Sequence, residues 1–423
     1  KPKQAGIMQP GKPGDTMTNF TLTPGPGQNS RVNQKIQKDI DYICRHVKKL
    51  LGSHLYALLL CGGFGRGEGS VTITEKKIHI VNDYDFTVVL SAKNKLQYLR
   101  LYKKFHHPLE TLAQKLAADL SIKQVDLSPK PLSYFKDTTL KIENYEVKKG
   151  HVLVYGRNNP TRFMPDWQSS DIPLFEGTWL FRNRGLGLIL AALYWITSRT
   201  IAPENKENFI IECTKAQMAM GDAALLLDKK YHHLYHQRLN IAQDHTFSHI
   251  PNPQEVRQRY IHALTQKLYP DFSQYDTTDL TTLWFDIRTS FLSFFKFYEQ
   301  HRLNQPFHTW TDYADIARPE DKTDLKTLAG KLIRSARSGI MPTSIKSIIQ
   351  KAAPSFSINL VALTLAGIER KGYAKMPIHK AADILNLQLT GNLKDDWIRV
   401  AVAVLNEIHP GGEAGKLIAG HLR

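Results

Sequence analysis

Cysteine is nearly absent from this 423-residue chain: the only three are Cys44, Cys61 and Cys213. They are odd in number and show no metal-ligand spacing. That argues against a disulfide-stapled secreted scaffold or a cysteine zinc site, and for reduced thiols in a cytoplasmic protein. Long hydrophobic runs are missing too. The apolar stretch free of charge between Arg184 and Arg199 is short of the roughly 20 residues that a membrane-spanning helix needs, so no membrane span is expected. Nothing near the N-terminus reads as a secretory signal. The chain starts at Lys1 rather than Met, as expected of a processed or trimmed form. No block of like charges marks a charged tail, and no internal repeat is found.

What the chain does have is base. Its net charge is +17 and its pI is near 9.5. The excess is spread along the sequence and favours phosphate-rich partners: nucleotides, nucleic acid or an anionic membrane. Hydrophobic residues make up 42% and charged residues 22%, an ordinary globular composition, and the length suits two or three domains.

Residues 1–30 hold five Pro and five Gly with little apolar periodicity and read as a flexible leader. Val32, Ile36, Ile40, Ile43, Val47 and Leu50 recur at helical spacing, and Gly52 follows as a stop. Leu55 to Cys61 reads as a buried strand ending on Gly62-Gly63. Residues 71–81 alternate as a hairpin, Phe86–Leu90 is a strand, and 95–120 is a helix with an interruption expected near Pro108. Residues 122–127 and 151–155 alternate as strands. Beyond about residue 175 helical patterns dominate, at 185–197, 209–228, 255–268, 283–302, 325–337 and 397–408. The expectation is an α+β protein: a catalytic domain at 31–175 with a small mixed sheet, a helical substrate-side domain at 176–315, and a C-terminal helical region at 316–423.

Chemistry concentrates in two stretches. Gly62-Gly63-Phe64-Gly65-Arg66-Gly67-Glu68-Gly69-Ser70 follows the buried strand, and Asn82-Asp83-Tyr84-Asp85-Phe86 opens the next long one. Strand residues two apart share a face, so Asp83 and Asp85 project together and repel unless a cation lies between them. Hard, oxygen-liganded ions such as Mg²⁺ suit that setting. Asp126, on a later strand, is the candidate third carboxylate. Glycines without side chains let backbone amides approach a polyphosphate, and a helix opening at Phe64 would add its N-terminus. Arg66 neutralises a phosphate oxygen or pairs with Glu68.

These stretches resemble the signature of the DNA-polymerase-β-like nucleotidyltransferase superfamily. The Gly-Gly-Phe-Gly-Arg-Gly-Glu form is similar to that of the nitrogen-regulatory uridylyltransferases. The resemblance covers residues 50–160. It implies that Asp83, Asp85 and Asp126 hold two Mg²⁺ ions, with Mn²⁺ as a substitute. Gly62-Gly63 would then meet the triphosphate, with Arg66 and Ser70 as further nucleotide contacts. The segment between Gly63 and Asp83 is longer than the family pattern, and Gly69-Ser70 is an alternative phosphate pair at a more usual distance.

The implied activity is transfer of a nucleoside monophosphate from a nucleoside triphosphate such as ATP to a hydroxyl or phosphate acceptor. An anionic acceptor, small molecule or nucleic acid, fits the charge. Two alternatives stand: a regulatory or toxin-like enzyme acting on an RNA 3′ end or a protein, and a non-catalytic nucleotide- or RNA-binding module. The small-residue helix 215–228 is similar to helices beside the cleft in such enzymes. It puts Lys215 and Asp222 on the acceptor side of a cleft expected between the catalytic and first helical domains, or else packs tightly through Ala and Gly. His232 and His236 share a helical face if 231–236 is helical, which allows a metal site. The aromatic run Phe291, Phe294, Phe295, Phe297 and Tyr298 reads as core.

Overall fold

Leu55–Leu60, the apolar run that ends at the glycines, forms a central strand of a four-stranded sheet. The computed structural model describes residues 19–22, 28–73, 77–81, 83–198, 200–321 and 353–408. The chain is α+β and divides into two units. The first comprises residues 1–173, 228–245 and 261–271; the second comprises 174–227, 246–260 and 272–423.

The first unit carries the sheet. In chain order it contains α1 (Gln28–Leu51), β1 (Leu55–Leu60), the single turn α2 (Gly62–Gly65), β2 (Val71–Ile73), β3 (Ile78–Ile80), β4 (Tyr84–Leu90), α3 (Lys95–Leu120), β5 (Val125–Pro131), α4 (Leu132–Asp137), α5 (Ile142–Lys149) and β6 (Val152–Tyr155). The strand order is β5-β4-β1-β6. β1 runs antiparallel to β4 and β6, and β5 runs parallel to β4. β2 and β3 form the expected hairpin as a separate two-stranded ribbon, Val71 opposite Ile80.

Alternation sorts the side chains of this sheet. Leu58, Leu60, Tyr84, Phe86, Val88, Val125 and Leu127 face the larger core. Val32, Ile36, Ile40, Ile43 and Val47, spaced so that they line one side of α1, bury against it. Each such side chain contributes about 1.5–3 kcal/mol by leaving water. Ala57, Leu59, Cys61 and Val89 face the other side and pack with Phe135 and Met164. Asp85 and Asp126 fall on this second side because they alternate with Tyr84, Phe86, Val125 and Leu127.

Five expectations need correction. The leader does not extend through residue 30: α1 begins at Gln28, and residues 19–22 are ordered, with Phe20 and Thr21 buried. Residues 1–18 and 23–27 lie outside the described residues. α3 runs unbroken through Pro108. The strand expected at 122–127 starts later, at Val125, and continues to Pro131, because pairing with β4 rather than alternation sets its ends. The first unit is not the one continuous segment 31–175, since residues 228–245 and 261–271 return to it. Nor do the described residues of 316–423 stand apart, since they share a unit with 174–227.

The remaining helices are α6 (Phe175–Ile196), α7 (Pro203–Leu227), α8 (Tyr235–Asp244), α9 (Pro253–Leu268), α10 (Leu280–Leu303), α11 (Trp310–Ala314), α12 (Pro354–Ala366), α13 (Lys375–Leu385) and α14 (Leu393–Ile408). The helix expected at 325–337 lies outside the described residues. The second unit is built on α6, α7, α10 and α12, with β7 (Ile368–Glu369) and β8 (Gly372–Tyr373) as a small hairpin. Phe181 stacks on Phe295 and meets Phe291, Phe294 and Tyr298 edge-on or tilted. Phe291, Phe294, Phe295 and Tyr298 are core, as the run suggested, while Phe297 is only half-buried. Among the described residues no helix is long and apolar enough to cross a membrane.

Candidate active site

The site begins where β1 ends. The backbone N–H of Cys61 donates to the carbonyl of Asp85 at 2.7 Å, so the chain leaves the sheet beside that carboxylate. Gly62 then takes φ +60°, a left-handed conformation that favours glycine, and a Cβ here would overlap Asp85 Oδ2. The glycine is required twice over, by its backbone angle and by the carboxylate against it. One helical turn follows, closed by Gly65 N–H to Cys61 O at 2.9 Å and Arg66 N–H to Gly62 O at 3.2 Å. It opens at Gly62 rather than at Phe64. A Cβ at Gly65 would overlap the Leu60 carbonyl, and one at Gly69 would overlap the Phe64 ring.

Asp85 and Asp126 are register partners across the parallel pair β4–β5. Their side chains therefore leave the same face side by side. Asp83 stands just before β4, half-buried. Burial, then the charges of Asp83 and Asp126, push the Asp85 carboxyl up to about 6, against the counter-pull of Lys267 and Arg66. Asp126 is exposed on the edge strand. Its carboxyl is also raised, first by desolvation and then by Asp83. The structure thus gathers the three expected carboxylates within electrostatic reach of one another.

The all-oxygen donor set and the bare backbone at Gly62 fit a hard divalent cation. The fit is one of donor chemistry and of the shared face, not of a closed ligand cage. Among the described residues no three His, Cys, Asp or Glu side chains are grouped closely enough to hold an ion.

The other predicted contacts lie elsewhere. Arg66 has a side chain only 4% exposed and is bound to Glu146 at 2.8 Å, with its Nε 3.9 Å from Glu68. Of the two roles open to it, the structure shows it inside an ion network. Ser70 is buried, and its hydroxyl donates to the carbonyl of Lys267. Gly63 lies over the Glu68 carbonyl, which its Cβ would approach to 3.3 Å. Lys215 and Asp222 belong to the second unit. Lys215 pairs with Glu212 one turn away at 2.7 Å, and buried Asp222 accepts the Tyr260 hydroxyl. The histidine cluster is not a helical pair: His232 and His233 precede α8, while His236 Nδ1 lies 2.7 Å from Glu68.

Three residues escaped the sequence reading: Glu146, Arg238 and Lys267. Glu146 binds Arg66, the Lys267 carbonyl accepts Ser70, and Arg238 reaches the same Glu146, all from distant parts of the chain, so no local spacing announces them. A groove of about 580 Å³ at the opposite end of the sheet, lined by Leu55, Tyr56, Tyr155, Gly156 and Arg157 among others, contains none of the carboxylates. Compared with family models, curated proteins and solved structures, the chain matches none.

Proposed function

We propose that the chain is a metal-dependent nucleotidyltransferase, moving a nucleoside monophosphate from a nucleoside triphosphate to a hydroxyl or phosphate acceptor. One observation carries the reading: Asp85 and Asp126 oppose each other on one face, with the backbone of Gly62 against the Asp85 carboxylate. A buried carboxylate whose proton affinity is raised by neighbouring carboxylates, as Asp83 and Asp126 raise that of Asp85, is unfavourable unless a cation uses it.

In this reading Asp83, Asp85 and Asp126 present their oxygens to the metal, and the Gly62–Gly63 backbone leaves room for the phosphates. Two Mg²⁺ ions, or Mn²⁺ in their place, supply charge neutralisation and a lowered pKa for the attacking hydroxyl when bound. The acceptor oxygen forms a bond to the α-phosphorus, the bond from that phosphorus to the bridging oxygen breaks, and pyrophosphate leaves. The Asp126 carboxylate is the base available for the acceptor proton. The net charge of +17 favours an anionic acceptor.

The test is incubation with each α-labelled nucleoside triphosphate, with and without Mg²⁺, following pyrophosphate release and the cellular fraction that takes up label. Label transfer that needs Mg²⁺ and is lost in Asp85→Asn supports the reading. Triphosphate binding without turnover under every metal condition would instead favour the second reading, a nucleotide- or RNA-binding module. That reading is favoured by the lack of a ready three-ligand group among the described residues.

A further inference from the structure

The Arg-Gly-Glu half of the glycine stretch is spent inside the protein. Glu68, its side chain 1% exposed, accepts the backbone N–H groups of Tyr235 at 2.8 Å and His236 at 2.9 Å, and its Oε1 lies 2.7 Å from His236 Nδ1. Those two amides open α8, whose N-cap residue is Leu234 and makes no side-chain cap. A leucine has no acceptor to give. Glu68 supplies both the acceptor and the negative charge that a helix N-terminus lacks, from 166 residues earlier in the chain.

Arg66 makes the second link. Its Nη1 binds Glu146 Oε2 at 2.8 Å, while Arg238 Nη2 and the Tyr231 hydroxyl both reach Glu146 Oε1 at 2.7 Å. The guanidiniums of Arg66 and Arg238 also lie 4.8 and 4.4 Å from the Tyr235 ring centre. Burial opposes every charge here, yet Glu146 is held below its ordinary range by Arg66 and Arg238, and Arg66 above its own by Glu146.

A stretch with glycines at 62, 63, 65, 67 and 69 is costly to order, because glycine loses more backbone freedom than any other residue. From the opposite end Gly69 N–H donates to the Phe20 carbonyl at 2.9 Å. We infer that Arg66 and Glu68 are positioning residues that fasten the glycine loop to residues 231–238 and so hold Gly62 against Asp85. The functional weight of this clamp rests on the reading of the loop as the phosphate side of a transferase.

Amide hydrogen exchange across residues 62–70 of the full chain, without substrate, is the first test. In Glu68→Ala and in Glu146→Gln, exchange there is expected to rise about ten-fold or more. The second readout is the dissociation constant for MgATP, expected to rise by about ten-fold in each. Arg66→Ala combined with Glu146→Gln should be no worse than the poorer single variant, because the two residues share one link.

Unchanged exchange at 62–70 in folded Glu68→Ala overturns the inference. So does an additive loss of MgATP affinity in the double variant, which would make Arg66 an independent phosphate contact. If Glu68→Ala does not fold, Glu68→Gln keeps an acceptor oxygen without the charge. It should show the same direction of change at smaller size, and wild-type exchange in it overturns the inference equally. Failure of wild-type protein to bind any of the four Mg-nucleoside triphosphates sinks the transferase reading alone, since exchange judges the clamp by itself.

Discussion

Gly62 lies so close to Asp85 that a methyl group in its place would overlap the carboxylate and stand 3.0 Å from its Cγ. No other glycine in the loop is set against an acidic side chain in this way. Gly62→Ala is therefore expected to displace Asp85 and abolish transfer, and to cost about 1–3 kcal/mol from its left-handed backbone alone. Gly63→Ala, whose Cβ would approach nothing nearer than the Glu68 carbonyl at 3.3 Å, should be much milder. Turnover and melting temperature of the two variants check this; equal loss in both would remove the special place of Gly62.

How far the sequence disclosed the site follows from what each residue depends on. The placement of Asp85 and Gly62 was legible because it is local: a two-residue period puts acidic side chains on one face, and a strand ending on glycine puts bare backbone beside them. Asp126 was legible as a strand residue, but its register opposite Asp85 depends on how β5 pairs with β4. Arg66 and Ser70 looked like phosphate contacts because charge and hydroxyl next to glycines suggest it. Their partners, Glu146 and the Lys267 carbonyl, sit 80 and 197 residues away, beyond any spacing rule. The return of 228–245 and 261–271 to the first unit was hidden for the same reason: their helical pattern matches that of the helices in the second unit. Phe20 was lost among prolines and glycines, where one apolar residue carries no period.

Phe20 is 2% exposed. Its N–H donates to Asn33 Oδ1 at 2.7 Å, and its carbonyl accepts Gly69 N–H at 2.9 Å. Its side chain is part of the main core. Phe20→Ala should cost about 3–5 kcal/mol, as burial of the ring is lost and a cavity is left. Asn33→Ala should cost less, about 1–3 kcal/mol, by leaving a buried amide without its acceptor. Denaturant unfolding of both variants provides the measurement. A Phe20→Ala protein within experimental error of wild type would return residues 19–22 to the status of a dispensable leader.

Asp222 is buried and accepts the Tyr260 hydroxyl, while Gly221 is packed so tightly on the Tyr260 ring that a Cβ there would overlap it. Asp222→Ala is expected to lower stability by about 1–3 kcal/mol. Lys215 is half-exposed and holds Glu212 on its own helix, so Lys215→Ala should cost no more than about 1 kcal/mol. Comparing the KM for triphosphate and for acceptor in Lys215→Ala then gives a clean reading. A rise confined to the acceptor supports Lys215 at the acceptor, and equal effects on both place the acceptor elsewhere.

The Asp85 carboxyl moves from an ordinary 3.8 up to about 6, first through burial and then through Asp83 and Asp126. The folded protein therefore binds this proton more tightly than the unfolded chain does. Between about pH 4 and pH 6 the native state keeps a proton that the unfolded state has already released, so stability falls as pH rises through that window and stays lower above it. The shift corresponds to about 3 kcal/mol at roughly 1.4 kcal/mol per unit. Asp85→Asn removes the charge, and in metal-free buffer at pH 8 it should be more stable than wild type by up to that amount. At pH 4, where wild-type Asp85 is itself protonated in the fold, the gap should close. Lys267 opposes the shift, so Lys267→Ala should move the midpoint of the wild-type profile further up. Chemical denaturation of the three proteins at pH 4, 6 and 8 measures all of this. If Asp85→Asn is no more stable than wild type at pH 8, the Asp85 charge carries no such cost, and the argument that the site is built for a cation loses its electrostatic basis.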